Sequence, residues 1–218
     1  MLKPLEVYQI LLDRFGPRGW WPADTPFEVM VGAILTQRTA WRNTEKAIQN
    51  LKDLELLAPS LAFVDLAAIE RAIRPAGFWK EKARRLQAFA QYLMRNYGGD
   101  LDKFFARDVT TIREELLALP GVGNETADSI LLYAGDKPVF VVDAYTQRLC
   151  ARFGLTKEGG YNGIQRFFAA NLPKSTEIYK EYHALIVELG KRHCRSTPVC
   201  GGCPLVGECE YGRNTERA

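Results

Sequence analysis

Apolar residues recur every three or four positions along most of this 218-residue chain. That spacing places them on one face of a helix, and segments 79–96 and 175–192 show it clearly. The run most typical of a β-strand, Val139–Val142, is short and is followed directly by Asp143, so we interpret it as an extended connector. Pro and Gly residues separate the helical segments. The pattern therefore predicts an all-α protein of about ten helices.

Composition and charge narrow the class of protein without identifying a partner. The chain is 47% hydrophobic and 25% charged, which is ordinary for a globular protein and excludes a disordered or collagen-like chain. No apolar run approaches the ~18 residues of a membrane span, and the N-terminus has no apolar signal core, so we expect a cytoplasmic protein. Its length fits one large domain or two small ones. The net charge of +3 neither requires nor excludes nucleic acid.

The segment from Thr111 to Ala134 predicts two helices joined by a tight turn. Thr111 and Glu114 have the spacing of a capping box, so we expect the first helix to run from Thr111 through Ala118. The turn is Leu119-Pro120-Gly121-Val122-Gly123. A Gly-x-Gly turn allows positive φ and leaves backbone N–H groups at a helix start, where a phosphate can bind. The alternative is an ordinary helix–helix turn with a glycine cap.

Asp143 stands between the extended connector and a helix that we expect to end near Phe153. The simplest interpretation of an Asp in that place is a helix N-cap. The free N–H groups and the dipole of a helix N-terminus also favour the ionised carboxylate. Such a carboxylate can stabilise developing positive charge or orient a water molecule, so the structural and catalytic interpretations are compatible.

Four of the five cysteines fall within 16 residues, as Cys194-x5-Cys200-x2-Cys203-x5-Cys209. In a cytoplasmic chain this compact spacing predicts a metal site, with free thiols or disulfides as the alternative. Spacing alone does not select the metal, because zinc sites more often contain two close cysteine pairs, and iron–sulfur clusters also take four thiolates. His193 is a further candidate ligand. Cys150 lies on an apolar helical face, and we expect it in the core.

Together these motifs resemble the endonuclease III branch of the helix–hairpin–helix DNA glycosylases. The resemblance is carried by the hairpin turn with Thr126-Ala127, Val142-Asp143, the cysteine tail and Ile34-Leu35-Thr36-Gln37-x-Thr39. It implies a [4Fe–4S] cluster on Cys194, Cys200, Cys203 and Cys209. Five residues separate the first two cysteines here, where endonuclease III typically has six. That difference alters the expected loop shape and leaves the ligand set intact.

The resemblance also implies an architecture and a DNA interface. Two helical domains would flank a DNA-binding groove: a six-helix barrel with the helix–hairpin–helix over residues 26–136, and a cluster domain from residues 1–25 and 137–218. The hairpin residues Gly121, Val122, Gly123 and Thr126 would contact DNA. Gln37 is similar to the residue that fills the gap left by a flipped nucleotide, and its alternative role is a buried amide at a helix end.

One departure from the endonuclease III pattern bears on the reaction. In bifunctional members, the hairpin sequence Gly-x-Gly-x-Lys supplies the amine that forms a Schiff base. Here Glu125 occupies the place of that lysine, while Asp143 is retained. A carboxylate does not form a Schiff base, so the abasic lyase reaction should be absent unless another lysine substitutes. The resemblance then implies a monofunctional glycosylase that hydrolyses the N-glycosidic bond with water.

The pocket motifs are similar to those of 3-methyladenine DNA glycosylase III, a monofunctional group of this superfamily. In that group, aromatic side chains at the positions of Trp21 and Trp41 sandwich the flipped base, and Pro22 lines the pocket. The usual Phe of the group is Trp41 here, and Glu125 is a candidate for polar contacts to the base. Indole rings attract cations, and alkylated purines are cationic. The alternative for Trp20-Trp21 is ordinary core packing.

The resemblance thus predicts base excision repair of alkylated purines, 3-methyladenine first, in double-stranded DNA that contains a damaged base. We expect a monomer, associated with the nucleoid in a bacterium or archaeon. Some glycosylase III proteins lack the four cysteines, so this chain combines that type of pocket with an endonuclease III type of tail. Three alternatives remain: an oxidised-pyrimidine glycosylase with lyase activity, a uracil or thymine mismatch glycosylase, and a non-catalytic damage binder.

Overall fold

The computed structural model describes residues 2–215, and within that range it contains twelve α-helices and no β-strand. The prediction of an all-α protein is confirmed. The first six helices are α1 (Pro4–Phe15), α2 (Pro26–Leu35), α3 (Trp41–Asp53), α4 (Leu66–Ala72), α5 (Trp79–Tyr97) and α6 (Leu101–Phe105). The others are α7 (Val109–Leu117), α8 (Asn124–Ser129), α9 (Ala144–Phe153), α10 (Gly160–Asn171), α11 (Thr176–Arg192) and α12 (Glu210–Thr215). None of these helices is both long and apolar enough to cross a membrane.

The described residues form two compact units, one of residues 21–137 and one of residues 2–20 with 138–215. The unit of residues 21–137 contains α2 to α8. Short 3₁₀ turns at Pro59–Phe63 and Arg74–Ala76 lie on either side of α4, and a π-helical turn at Ile130–Ala134 continues directly from α8. Helix α2 is almost entirely apolar and buried, and it packs against α3, α5 and the π-helical turn. This helix is therefore the centre of the unit's core.

The unit of residues 2–20 and 138–215 is built around α11, which packs against α1 and α9. Residues 138–143 form neither helix nor strand, and Phe140 from this connector stacks on Phe168 of α10 with ring centroids 4.2 Å apart. Helices α9 and α11 approach closely at Gly190, where an added Cβ would lie 2.1 Å from Cδ1 of Tyr145. A side chain at position 190 would therefore separate the two helices.

The start of α7 differs from the prediction. The helix begins at Val109, not at Thr111, and its N-cap is Asp108. The carboxylate of Asp108 accepts a hydrogen bond from the backbone N–H of Thr111 at 3.0 Å. The capping box of Thr111 and Glu114 was a wrong prediction because Asp108, three positions earlier, already caps the helix and leaves Thr111 inside its first turn.

Candidate functional site

A partly buried ion pair connects the two helices of the hairpin, α7 and α8. Arg113 on α7 donates to both carboxylate oxygens of Asp128 on α8, at 2.7 and 3.1 Å, and to Oδ1 of Asn124 at 3.1 Å. The side chain of Asp128 is fully buried. Val122 at the tip of the turn is buried as well, whereas Gly121 and Gly123 on either side of it are exposed. The hairpin therefore presents the backbone of its two glycines to solvent on a rigid support.

Gln37 lies just beyond α2 and is bound to the hairpin. Its Nε2 donates to the carbonyl oxygen of Gly121 at 2.9 Å and to Oγ1 of Thr126 at 3.0 Å. Its Oε1 accepts from Nη1 of Arg85 at 2.8 Å. Gly121 has φ +75°, which favours glycine, and a Cβ there would lie 2.3 Å from Nε of Arg85, so a side chain would displace the guanidinium that bonds Gln37. Three predicted DNA contacts, at positions 37, 121 and 126, thus meet in one place.

A buried lysine supports the segment that carries Gln37. Nζ of Lys82 donates to the carbonyl oxygens of Leu35 and Ala76, at 2.8 and 2.9 Å, and to Oγ1 of Thr39 at 2.7 Å. Lys82 is 2% exposed. Burial, followed by repulsion from Arg85, lowers the pKa of Lys82 to about 8. Although its pKa is low, all three N–H donors are engaged, so this amine is placed to hold segments together and not to attack a substrate.

Phe78 lies two residues after Ala76, and sequence reasoning did not single it out. Its side chain is 64% exposed. Its backbone has φ +47°, which is uncommon for a residue other than glycine. The local sequence pattern does not distinguish this exposed aromatic residue from the buried ones nearby. Its exposure depends on the conformation of the turn, which the sequence pattern did not predict.

The two predicted pocket indoles are in contact. The rings of Trp21 and Trp41 have centroids 5.2 Å apart and an interplanar angle of 88°, which is an edge-to-face arrangement. Tyr133, from the π-helical turn, lies on Trp21 with centroids 5.3 Å apart. We call Trp21, Trp41 and Tyr133 the aromatic cluster. Trp21 lies close to Gly32 of α2, where an added Cβ would be 3.2 Å from Cζ2 of the indole.

The aromatic cluster does not present an open sandwich in this structure. Two parallel rings that enclose a base need a separation of about 7 Å, twice a normal stacking contact. The perpendicular rings of Trp21 and Trp41 leave no such slot, so a base would have to turn at least one ring. Pro22 is exposed beside Trp21, and Glu125 is exposed on the first turn of α8. Tyr133 was missed because the π-helical turn sets the direction of its side chain.

Asp143 is the N-cap of α9 in the structure, and it is 8% exposed. Its Oδ1 accepts from the backbone N–H of Thr146 at 2.7 Å and from Oγ1 of Thr146 at 2.9 Å. Its Oδ2 lies 3.4 Å from Nε2 of His183, a buried residue of α11. His183 and Gly190 are seven positions apart and share the face of α11 that meets α9. The close approach at Gly190 therefore helps to bring the histidine to the carboxylate.

The surroundings of Asp143 favour its ionised form. Burial raises the pKa of this carboxyl, but the hydrogen bond and charge of His183 and the two donors of Thr146 lower it by more. The net effect is a pKa below the ordinary value of Asp. The buried group is thus a carboxylate at neutral pH, with Oδ1 held by the two donors of Thr146 and Oδ2 facing His183. This can stabilise a neighbouring positive charge.

The four clustered cysteines line one cavity of about 30 Å³, together with His193 and Arg152. Within residues 2–215, no group of three or more His, Cys, Asp or Glu side chains is arranged to hold a single metal ion. Arg152 donates to Sγ of Cys194 at 3.5 Å, and its guanidinium also bonds the carbonyl oxygens of Arg195 and Ser196. Cys150 is buried elsewhere in the unit, and burial raises the pKa of its thiol to about 12.

Comparison with known proteins places the chain in a family. The HhH-GPD superfamily of base excision DNA repair proteins matches residues 31–174. A proposed DNA repair glycosylase of Methanocaldococcus jannaschii is 49% identical over 207 residues, which covers 94% of each chain. A trapped covalent intermediate of endonuclease III with DNA is 25% identical, with a TM-score of 0.84 and 100% coverage of both chains. The H. pylori 3-methyladenine DNA glycosylase bound to 1,N6-ethenoadenine is 28% identical, with a TM-score of 0.77, and the match covers 88% of this chain and 98% of that one. The hairpin, the N-capping carboxylate and these matches together show that the chain belongs to the HhH-GPD superfamily of DNA repair glycosylases.

Proposed function

We propose that this glycosylase is monofunctional and hydrolyses the N-glycosidic bond of flipped alkylated purines in double-stranded DNA, with 3-methyladenine as the first choice. The observation that carries the proposal is the contact between the indoles of Trp21 and Trp41, with Tyr133 on one side. The similarity to a 3-methyladenine glycosylase supports the same substrate class. Gln37, Gly121, Val122, Gly123 and Thr126 are proposed as DNA contacts. Phe78 adds an exposed ring for stacking on a base.

An aromatic cluster suits a cationic base. A purine alkylated at N3 or N7 carries a fixed positive charge, which indole faces attract by about 0.5–2 kcal/mol. Stacking between rings and a flipped base contributes roughly 1–3 kcal/mol. Flipping itself costs a few kcal/mol and is easiest for damaged bases, so selection begins before the base reaches the rings. Pro22 and Glu125 are proposed to complete the lining.

The cationic base also simplifies the reaction. When the bond between the base nitrogen and C1′ breaks, its electron pair neutralises the base, so the leaving group needs no proton. Positive charge then develops on the sugar, and the ionised Asp143 is proposed to stabilise it. Water adds to C1′ and releases one proton, which yields the free base and an abasic sugar.

The position of Glu125 supports hydrolysis without a lyase step. The residue lies on the first turn of α8, where a bifunctional enzyme would carry its amine. Lys82 is the described lysine with a lowered pKa, but its three hydrogen bonds and burial leave it unable to attack. The trapped covalent intermediate with DNA was formed by endonuclease III.

The cysteine cavity is proposed to hold a [4Fe–4S] cluster. The four thiolates fit such a group because a cluster offers each cysteine its own iron, so its ligands need not converge on a single ion. The guanidinium of Arg152 beside Cys194 would offset the negative charge of four thiolates. When bound, the cluster supplies a covalent cross-link for residues 194–209. The unit of residues 2–20 and 138–215 is therefore proposed to be the cluster domain. We also propose that the protein acts as a monomer.

Single-turnover release from a panel of duplexes tests the function. We expect rapid release of 3-methyladenine, and little release of thymine glycol or of uracil and thymine opposite guanine. We expect no covalent adduct with borohydride. Release of thymine glycol with a trapped adduct would show an endonuclease III activity instead. Release of uracil or thymine alone would show a mismatch glycosylase. Tight binding of abasic DNA without release of any base would show a non-catalytic damage binder.

The pH dependence of base release tests the contact between His183 and Asp143. Because the pKa of Asp143 is lowered in the folded protein, we expect the wild-type rate to stay on its plateau at acid pH. In His183→Phe, the histidine no longer counteracts the effect of burial on the carboxyl of Asp143. The pKa of Asp143 should therefore rise, and the rate of base release should fall as the pH is lowered. His183→Gln keeps a donor and should show a smaller change. Identical acid limbs in all three proteins would contradict this role for His183.

A further inference from the structure

Trp41 is hydrogen-bonded to a carboxylate that no motif pointed out. Trp41 begins α3, and Glu45 follows one turn later on the same face. The indole Nε1–H of Trp41 donates to Oε1 of Glu45 at 2.6 Å. Glu45 is exposed, and no ion pair of the described residues includes it. By contrast, Glu28 in the same unit is paired with Lys52 at 2.8 Å.

A carboxylate in this position changes the properties of the ring. A charge-assisted hydrogen bond to an indole N–H is stronger than a neutral one, and it increases the electron density of the ring. A more electron-rich ring face attracts a cation more strongly. The N–H lies in the ring plane, so the carboxylate lies at the ring edge and does not cover the faces on which a base stacks. A neutral base gains little from the added charge.

We propose that Glu45 is a specificity-determining residue that makes the aromatic cluster favour positively charged bases over neutral ones, acting through Trp41. The inference rests on the proposed function, because it assumes that the cluster receives the flipped base. The favoured class is a purine with a fixed positive charge, such as 3-methyladenine or 7-methylguanine. The disfavoured class is a neutral adduct of similar size, such as 1,N6-ethenoadenine.

Charge and hydrogen bonding at position 45 can be separated by substitution. Glu45→Gln retains an acceptor for the indole N–H and removes the charge. We expect the single-turnover rate of release from 3-methyladenine duplex, measured below saturating enzyme, to fall about 3- to 5-fold, while the rate for 1,N6-ethenoadenine duplex stays unchanged. The matched control is Trp41→Phe, which keeps an aromatic ring and removes the N–H. In that background Glu45→Gln should change the 3-methyladenine rate less than about twofold, because the two residues are then uncoupled.

The outcomes separate this inference from the proposed function. If the wild-type protein releases neither base, the proposed function fails and the inference fails with it. If the wild type releases both bases and Glu45→Gln lowers both equally, the proposed function stands and the role of Glu45 is overturned. An equal effect of Glu45→Gln with Trp41 and with Phe at position 41 also overturns it. If the wild type releases only 3-methyladenine, the test rests on that base alone. A lower rate of its release in Glu45→Gln, with no such decrease when Glu45→Gln is made in the Trp41→Phe background, then supports the role of Glu45. Any other result overturns it.

Discussion

Replacing Asp143 by Asn is expected to lower the single-turnover rate of 3-methyladenine release about 10²- to 10⁴-fold, because it removes the charge and keeps the N-cap of α9. Asn is as good an N-cap as Asp, and its amide oxygen can still accept the hydrogen bonds that Thr146 gives to Oδ1. The substitution therefore removes the charge and keeps the helix start. Thermal unfolding of both proteins measures how much stability the loss of the charge costs.

Thr146→Val is the matched control for this prediction. It removes the hydroxyl donor to Asp143 and keeps the backbone N–H and the shape of the side chain. We expect a loss of less than about tenfold, the size of one net hydrogen bond. Equal rates for the wild type and Asp143→Asn would exclude Asp143 from the reaction. A loss as large in Thr146→Val as in Asp143→Asn would assign the effect to the position of the carboxylate and not to its charge.

Local features of the chain were readable from the sequence because they depend on near neighbours. The spacing of apolar residues predicted α5 and α11, whose structural bounds are Trp79–Tyr97 and Thr176–Arg192. An Asp directly before a helical segment predicted the N-cap at Asp143. The predicted start of α7 was wrong by two residues. Two possible capping residues lie within one turn, and Asp108 is the one that forms the cap.

Contacts between distant segments were not readable in the same way. His183 is 40 positions from Asp143, and their contact depends on how closely α9 approaches α11 at Gly190. Tyr133 reaches Trp21 because a π-helical turn changes the phase of the helix, and periodicity of 3.6 residues does not anticipate that change. The bond between Trp41 and Glu45 is different, because their spacing of four residues on a helix was visible in the sequence.

Replacing Cys203 by Ser is expected to remove most of the bound iron and the visible absorption of the purified protein, because a hydroxyl is a poor substitute for a thiolate ligand. Without the cross-link, residues 194–209 lose their main constraint, since few apolar side chains in this segment are buried. Loss of a structural metal site is among the changes that exceed about 4 kcal/mol. For a chain of this length, that corresponds to a fall in Tm of roughly 10 °C.

Cys150→Ala is the control, because it removes a cysteine that is buried outside the cavity. Iron content and visible absorption should then match the wild type, even though the new core space lowers the Tm to some extent. Limited proteolysis distinguishes the two variants further, since only Cys203→Ser should open new cleavage sites within residues 194–209. Full iron content in Cys203→Ser would contradict its role as a ligand. Zinc in place of iron in the wild type would contradict the proposed cluster and keep the four-thiolate site. The four thiolates would then have to converge on a single ion.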